Sequence, residues 1–331
     1  AFEYQCGRGV RLGLDKARQM AADAAARDIL FSVHAPYYIS MSSLEEDKRL
    51  NSVNYLLQSA AVCKALGGQR VIFHSGSCGR QSREAALEKA LDTLRRAQAA
   101  LDAAGFPDIT LCPETMGKIG QLGTLDEVLA LCRVDRRITP CIDFGHLNAR
   151  TLGGIASKAD YAAILDRMEG ALGDARARQF QVHFSRIEYT AGGEKRHWTF
   201  AETQFGPEPQ PLMELLAERG LAPVVICESA GTQAEDACTM QQMYRAARDL
   251  RKIPGGEALA GRCCPCWLPG SMLWETCGAC SNGKLLLARR TGPGSRRASG
   301  VYRTLHPVCQ GLPSIGEVAS RSDDGEVCAF L

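Results

Sequence analysis

Short apolar runs alternate with helical patterns along most of the chain. The runs are continuous rather than alternating in polarity, which is typical of strands that are buried on both faces. They predict a strand stub in AFEYQ at the start and strands at 29–33, 70–73, 109–112, 138–142, 180–182 and 223–227. The helical patterns lie at 11–28, 43–65, 82–104, 124–132, 157–172, 211–219 and 232–251. Such regular alternation predicts parallel strands with helices outside them.

Polar residues at helix starts support these helices. A Ser or Thr followed three residues later by Glu or Asp has the spacing of a capping box, in which each side chain accepts a hydrogen bond from the other residue's backbone N–H. This spacing occurs at Ser43–Glu46, Thr124–Glu127 and Ser157–Asp160. Ser82 is predicted to cap the helix that reaches about Ala104, whereas GGEKRHW at 192–198 is predicted to be a polar loop.

Two architectures fit this order, a doubly wound open sheet and a TIM (β/α)8-type barrel. The early glycines do not have the GxGxxG spacing, and no P-loop is present, so the doubly wound sheet lacks its usual phosphate-binding signature. The DFG at 143–145 stands without the HRD and Gly-rich loop of protein kinases. Since the chain opens on what looks like the end of a strand, we expect an α/β barrel that lacks its first strand.

The residues at the strand ends favour the barrel. After the stub, the six strands end in order at His34, His74, Glu114, Asp143, His183 and Glu228. Asp, Glu and His together make up about one residue in eight of the chain, so chance is a poor explanation for six in a row. The carboxyl ends of barrel strands meet at one mouth, where catalytic groups collect. We therefore predict a metal site there, with Glu114 and Glu228 as catalytic carboxylates.

Two further histidines, His146 and His197, lie just past strand ends. His146 follows Asp143 by three residues in PCIDFGHLNAR. Two interpretations of this pair stay open. The two side chains are metal ligands, or the Asp caps the next turn beside a hydrogen-bonded His.

The predicted ligands offer nitrogen and oxygen but no sulfur. This donor set suits Zn, Mn, Fe or Co, with Zn the commonest at His-rich sites. Six strand-end ligands exceed the needs of one tetrahedral ion. A shared carboxylate such as Glu114 would bridge two ions roughly 3.5–4 Å apart, the arrangement used in phosphate ester hydrolysis.

Composition narrows the class of protein only slightly. The 331 residues are 45% apolar and 23% charged, as in globular proteins, and the net charge of +2 argues neither for nor against a nucleic acid partner. No apolar run is as long as a membrane span, so no membrane partner is expected. The cysteines in and beside the strands are expected to be reduced, as in a cytoplasmic protein.

The motifs HAPYYIS, FHSGS, PETMGK, CIDFGH, QVHF, EKRHW and ICES resemble, in order and spacing, those of the endonuclease IV family of AP endonucleases. That family belongs to the xylose-isomerase-like TIM barrels. The resemblance covers about residues 1–252 and implies a zinc enzyme that cuts double-stranded DNA at abasic sites in base excision repair. It assigns His34, His74 and Glu114 to a first ion.

The remaining ligands follow from the same resemblance. It assigns Asp143, His183 and Glu228 to a second ion bridged by Glu114, and His146 and His197 to a third. The family places an Asp two residues before the last of these histidines, whereas this chain has Lys195, with Glu194 out of register. Two zinc ions are therefore expected, the third is in doubt, and manganese is the alternative metal. Ser75 also replaces the Pro of the family's HPGS motif.

Two alternatives remain open. Sugar isomerases and epimerases of the same superfamily resemble the chain in Glu114, Asp143, His183 and Glu228, which would bind a single divalent ion. A non-enzymatic barrel that binds damaged DNA without cutting it is suggested by Lys195. The candidate DNA contacts are Arg80, Lys118, Arg150, Arg186 and Arg196. A monomer is expected.

The periodic pattern stops after residue 252. We expect two parts, a metal-binding barrel domain at 1–252 and a Cys-rich tail at 253–331. The tail carries two CxxC pairs, Cys263–Cys266 and Cys277–Cys280, with a spacer shorter than that of zinc ribbons. Its richness in Gly, Pro, Arg and Ser favours an irregular, disordered or spurious extension over a zinc ribbon.

Overall fold

The computed structural model of the chain describes residues 1–173 and 175–251 and the backbone of 329–330. The strands are β1 (Phe2–Gln5), β2 (Phe31–His34), β3 (Arg70–Phe73), β4 (Thr110–Pro113), β5 (Cys141–Asp143), β6 (Gln181–Phe184), β7 (Arg186–Thr190), β8 (Gly193–Trp198), β9 (Val224–Cys227) and β10 (Ala329–Phe330). The helices are α1 (Leu14–Ala25), α2 (Glu46–Ala65), α3 (Arg83–Ala103), α4 (Leu125–Cys132), α5 (Phe144–Arg150), α6 (Lys158–Leu172), α7 (Pro209–Arg219) and α8 (Gln233–Arg251).

The parallel strands follow one another around a barrel. One group runs in the order β1-β2-β3-β4 and a second in the order β5-β6-β9, and a parallel bridge between Glu114 and Cys141 joins the two. In the described part of the chain no ladder connects β9 to β1, and β10 pairs antiparallel with β9 at this edge. The expected parallel strands with helices between them are therefore present, in a barrel that the described strands leave open.

The hydrophobic core lies between the barrel strands and the helices outside them. One cluster of buried side chains packs α1, α2 and α3 against β2, β3 and β4, with Leu56, Phe73 and Leu94 among its largest members. A second packs α6, α7 and α8 against β5, β6 and β9 around Tyr161 and Phe184. Burial by helices on the outer face explains why the strands read as continuous apolar runs.

Most of the predicted helix caps are confirmed. Cap hydrogen bonds are present at Ser82, at Thr124–Glu127 and at Ser157–Asp160. The predicted box of Ser43 with Glu46 is wrong, because α2 begins after Glu45 and the Ser43 hydroxyl accepts a hydrogen bond from the Glu45 backbone N–H at 3.1 Å instead.

The polar loop predicted at 192–198 is wrong. This segment is β8, which pairs antiparallel with β7 to form a hairpin that stands outside the barrel ladder. Backbone hydrogen bonds from Ile119 N to Gly192 O and from Glu194 N to Gly117 O attach the hairpin to the loop that follows β4. The loop was expected because most side chains of the segment are polar, whereas strand pairing here depends on the backbone.

Apart from the β10 backbone, the tail expected at 253–331 lies outside the described residues, and so do its two CxxC pairs. The division of the chain near residue 252 and the nature of this segment stay predictions. Among the described helices, none is both long enough and apolar enough to span a lipid bilayer.

Candidate metal centre

Glu114 lies at the centre of the strand ends. It follows β4 directly, its side chain is 1% exposed, and its two carboxylate oxygens face different histidines. Its Oε2 is 3.2 Å from His34 Nε2 and 3.1 Å from His74 Nε2. His34 Nδ1 contacts the Ala35 carbonyl at 2.8 Å, which leaves Nε2 on the side of Glu114. These three residues form the first candidate ligand set.

The second ligand set lies on the other oxygen of the same carboxylate. His183 Nδ1 is 2.8 Å from Glu114 Oε1 and 3.3 Å from Glu228 Oε1. With Asp143, the four residues offer ligand atoms that all lie within 4.8 Å of one another. Glu114 thus belongs to both sets, as a bridging carboxylate would.

Asp143 both caps a helix and carries a free oxygen. Its Oδ1 accepts the backbone N–H of His146 at 2.6 Å at the start of α5, a helix that the sequence did not predict. Its Oδ2 is buried and accepts no hydrogen bond from any described residue. His146 Nδ1, 3.3 Å from this oxygen, also contacts the Thr115 carbonyl at 3.0 Å. Capping and cation binding, the two interpretations left open, are therefore compatible in one side chain.

The third ligand set contains a residue that the sequence placed out of register. Glu194 Oε2 is 3.4 Å from His146 Nε2, and Glu194 Oε1 is 3.8 Å from His197 Nε2. His197 Nδ1 lies 2.8 Å from Ser185 Oγ and 3.8 Å from Glu228 Oε2. A carboxylate therefore lies between the two histidines.

A β-bulge brings Glu194 to this position. Glu188 pairs with Arg196 and Tyr189 with Glu194, so that Lys195 is the extra residue of β8. A bulge of this kind re-aims the side chains on either side of it. Lys195 is 56% exposed and its ammonium binds Glu188 Oε1 at 2.5 Å. The doubt about a third ion rested on Lys195, whereas the carboxylate that lies between His146 and His197 belongs to its neighbour Glu194.

Two glycines allow the hairpin to approach the site. Gly193 has φ +91° and its Cα lies so close to Gly117 that an added Cβ would be 2.2 Å from the Gly117 carbonyl oxygen. A Cβ on Gly117 would in turn lie 2.5 Å from Glu194 Cβ and 3.0 Å from His146 Cδ2. Any side chain at either position would push β8, and Glu194 with it, away from the strand ends.

Comparison with known proteins decides the family. A family model described as xylose isomerase-like TIM barrel matches residues 1–250. The chain belongs to the xylose isomerase-like TIM barrel family. The predicted barrel fold is thereby confirmed.

Two relatives by sequence differ in what their names say. The chain is 34% identical over 244 residues to an uncharacterised protein of Methanocaldococcus jannaschii, a match that covers 74% of this chain and 86% of the relative. It is 26% identical over 183 residues to a probable endonuclease 4 of Mycoplasma pneumoniae, covering 53% of this chain and 59% of that protein. The motif resemblance to endonuclease IV is thus accompanied by sequence similarity over 183 residues to a probable endonuclease 4.

Solved structures of both chemistries share the fold. A D-tagatose 3-epimerase-like protein matches with a TM-score of 0.57 at 16% identity, over 76% of this chain and 91% of that one. Endonuclease IV from Thermus thermophilus matches with a TM-score of 0.51 at 17% identity, over 76% and 99% of the two chains. An epimerase-like protein and an endonuclease thus share this fold, and fold similarity alone does not choose between their activities.

The charges of the barrel mouth strongly perturb the titration of Glu114. Burial opposes ionisation of this carboxyl. The positive charge of His183 and hydrogen bonds from His183, His34 and His74 outweigh burial and hold the pKa of Glu114 well below its usual value. The carboxylate is therefore ionised at neutral pH, as a cation ligand must be.

The neighbouring groups are perturbed in the other direction. Burial, with repulsion from Glu114 and Asp143, raises the pKa of Glu228 to about 8. Burial disfavours the charged form of His146, but the carboxylates of Asp143, Glu194 and Glu114 outweigh burial and raise its pKa to about 10. Such crowding of groups with displaced pKa values is typical of a functional site.

The residues present fit divalent cations. All eight predicted ligands lie around one mouth, and the donors are the imidazole nitrogens and carboxylate oxygens that zinc and manganese bind. Among the described residues, Asp143 Oδ2 has no hydrogen-bond partner although it is buried. The described His, Asp and Glu side chains thus form clusters that could bind metal.

A cleft of about 420 Å³ opens above these ligands. Its exposed lining residues, which form the rim, include Lys118, Lys195, Arg196 and Tyr37. Arg196 is 62% exposed and its guanidinium lies 5.1 Å from the Trp198 ring centroid. The cleft therefore joins an acidic and imidazole-rich floor to a basic rim.

Two of the five candidate DNA contacts have other roles. Arg150 donates hydrogen bonds to the carbonyls of Met116, Lys118, Ile119 and Gln121, which fixes the loop after β4. Arg186 is 5% exposed and binds the Phe205 carbonyl and Glu208. Arg80, Lys118 and Arg196 are exposed, and of these Lys118 and Arg196 line the cleft.

Two carboxylates near the ligands were missed by the sequence argument. In the sequence Glu194 is one position out of register with the family's motif, although Gly192 and Gly193 between two polar, β-rich segments are a hairpin signal. The one signal for Glu3 in the sequence is a charged residue in the predicted strand stub. Glu3 is 1% exposed and lies inside the barrel against His183.

Proposed function

We propose that the chain is a metal-dependent phosphodiesterase of the endonuclease IV type that cuts DNA at abasic sites. The observation that carries this proposal is the placement of His34 and His74 on one oxygen of Glu114, with His183 on the other. Two ligand sets that share a carboxylate are suited to two ions acting on one phosphate.

The competing epimerase interpretation needs fewer ligands. Glu114, Asp143, His183 and Glu228 suffice for its single ion, which leaves His34 and His74 unexplained. A single-ion site also does not need the set formed by His146, His197 and Glu194. Sequence similarity to a probable endonuclease 4 supports the nuclease as well.

Zinc ions are the proposed metals, with manganese as the alternative. They would be held by nine side chains, namely His34, His74, Glu114, Asp143, His146, His183, His197, Glu228 and Glu194. When bound, the ions would stabilise the charge of the phosphate and would lower the pKa of water to near neutrality. Three ions are proposed rather than two, because Glu194 completes the third set.

The chain's own residues bind and orient the substrate. Lys118 and Arg196 on the rim are placed to bind backbone phosphates on either side of the scissile bond. In the reaction, the oxygen of water forms a bond to phosphorus while the bond to the leaving sugar oxygen breaks. Glu228, on the floor between His183 and His197, is placed to accept the proton of that water.

The alternative of a barrel that binds damaged DNA without cutting it is no longer supported by Lys195. That interpretation rested on Lys195 opposing His146 and His197, whereas the Lys195 ammonium is paired with Glu188. The double-stranded DNA partner, the monomeric state and the cytoplasmic location remain proposals.

The test is nicking of a duplex that carries one abasic site, with an undamaged duplex as control and with and without a chelator. We expect nicking that the chelator abolishes and zinc restores. Epimerisation of a ketose together with no nicking would overturn the proposal.

His74→Asn separates the two chemistries in one variant. It removes a ligand of the first set and leaves the four residues of the second intact. A nuclease should lose most of its nicking rate, while an epimerase that uses only the second set should keep its activity. Zinc content, measured alongside, should fall by one ion per chain only in the first case.

A further inference from the structure

Glu3 is a carboxylate buried inside the barrel, one layer away from the proposed ligands. It is 1% exposed, and its Oε1 lies 3.0 Å from His183 Nε2. The other nitrogen of the same ring, Nδ1, faces Glu114 Oε1 at 2.8 Å and Glu228 Oε1 at 3.3 Å. The His183 ring therefore connects Glu3 to the second ligand set.

Hydrogen bonds fix the Glu3 carboxylate in this position. Ser32, directly opposite Glu3 in the β1–β2 pairing, donates its hydroxyl to Glu3 Oε2 at 2.8 Å. Gln181 Nε2 donates to the same oxygen at 3.1 Å. Gln181 and His183 are two residues apart on β6 and so lie on the same face of the strand. Arg70 in turn donates to Gln181 Oε1 at 3.0 Å, which sets the direction of the amide.

A buried charge in this place is costly unless its partners compensate for the lost hydration. The titratable group that Glu3 contacts is His183, itself 0% exposed. A comparable buried carboxylate, Glu127, has a purely structural setting, since it binds Arg83 and the backbone at the start of α4. Glu3 differs because its partner is a proposed metal ligand.

We propose that Glu3 is a positioning residue for the metal centre. Its carboxylate faces Nε2 of His183 at ion-pair distance and thereby favours the tautomer that carries the proton on Nε2 and leaves Nδ1 free for the cation shared with Glu114 and Glu228. A carboxylate on the far nitrogen of a ligating imidazole orients the ring and increases its basicity. This inference rests on the metal centre of the proposed function but not on the reaction that it performs.

The variant test compares Glu3→Gln with Glu127→Gln. Both remove one buried negative charge, but only the first lies against a proposed ligand. Zinc affinity is measured by competition with a chromophoric chelator, with circular dichroism to confirm folding. We expect Glu3→Gln to weaken zinc binding by roughly 10- to 100-fold, and Glu127→Gln to leave it unchanged. A folded Glu3→Gln protein with the zinc affinity of the wild type would overturn the proposal.

A measurement on the unaltered chain covers the case in which Glu3→Gln does not fold. Nitrogen-15 NMR of histidine-labelled, zinc-loaded protein reports the tautomer of each ring, and the His183 signals are assigned by their loss in His183→Asn. We expect Nε2 to carry the proton and Nδ1 to be the bound nitrogen. The opposite tautomer would overturn the proposal.

The outcomes separate this proposal from the proposed function. Zinc binding with the expected tautomer but no nicking would overturn the nuclease and leave the role of Glu3 standing. Nicking by the wild type, together with an unchanged zinc affinity in Glu3→Gln, would overturn the role of Glu3 and leave the nuclease standing. A wild-type chain that binds no zinc would overturn both.

Discussion

Glu194 and His197 face the same proposed ion site although they are three positions apart on one strand. The carboxylate lies 3.8 Å from the imidazole, because the bulge at Lys195 shifts the pairing of β7 with β8. In a regular strand, residues two apart share a face, and Lys195 would take the position beside His197. The bulge thus brings the Glu194 carboxylate to the place beside His197 that Lys195 would otherwise take.

Glu194→Gln tests this relationship against Lys195→Gln. We expect Glu194→Gln to lose one bound zinc ion per chain, because His146 and His197 lose their carboxylate partner. Lys195→Gln should retain all ions, since the Lys195 side chain binds Glu188 at the surface. Zinc content after dialysis, measured by atomic emission, distinguishes the two. Loss of an ion in the Lys195 variant alone would show that the register is different.

The close approach of the hairpin to the loop after β4 gives a second prediction. Gly117→Ala places a methyl group 2.5 Å from Glu194 Cβ, so the hairpin must move outward. We expect the same loss of one zinc ion as in Glu194→Gln, with nicking reduced. Gly120→Ala is the matched control, because a Cβ there meets nothing within 4 Å. Equal zinc contents in the two alanine variants would contradict the prediction.

Zinc binding should be coupled to proton release. Burial lowers the pKa of His34, but the hydrogen bond and charge of Glu114 outweigh burial and raise it to about 9. Near pH 7 the imidazole is therefore protonated, and a cation must displace that proton. We expect zinc affinity to rise as pH increases towards about 9.

Calorimetric titration of zinc in two buffers with different ionisation enthalpies counts the protons released. His34→Asn should release about one proton fewer than the wild type. A zinc affinity that does not change with pH would show that the imidazoles are already neutral in the free protein.

Arg196 is expected to contribute to DNA affinity without reading sequence. Its exposed guanidinium lies on the rim of the cleft, where it can pair with a backbone phosphate. We expect Arg196→Ala to weaken binding of an abasic duplex and to reduce the slope of log affinity against log salt by about one. Arg95→Ala, at an exposed position on α3 that does not line the cleft, is the control. Fluorescence anisotropy at several salt concentrations measures both, and equal slopes would remove Arg196 from the interface.

The main candidate ligand sets could be predicted from the sequence because barrel topology alone determines where the strand ends lie. Once apolar runs are recognised as parallel strands, the residue that ends each run must lie at one mouth. His34, Glu114 and Asp143 are separated by many residues, yet each needs only its position relative to its own strand to be placed. No side-chain detail enters this step.

The hairpin could not be placed in this way. β7 and β8 carry mostly polar side chains and pair with each other rather than with the barrel, so no apolar period marks them. The direction of the Glu194 side chain depends on one unpaired residue in the ladder. Its distance to His146 depends further on the contact of Gly117 with Gly193. Both are long-range backbone relationships.

The sequence by itself determined the alternation of strands and helices and the imidazole and carboxylate groups at the strand ends, and hence a barrel whose mouth carries possible metal ligands. These features follow from local periodicity and residue type. Only the tertiary structure decided that Glu194 replaces Lys195 beside the histidines and that Glu3 lies against His183. The physical reason is that both depend on which backbones approach each other across the barrel, and side chains distant in sequence meet only after the chain has packed.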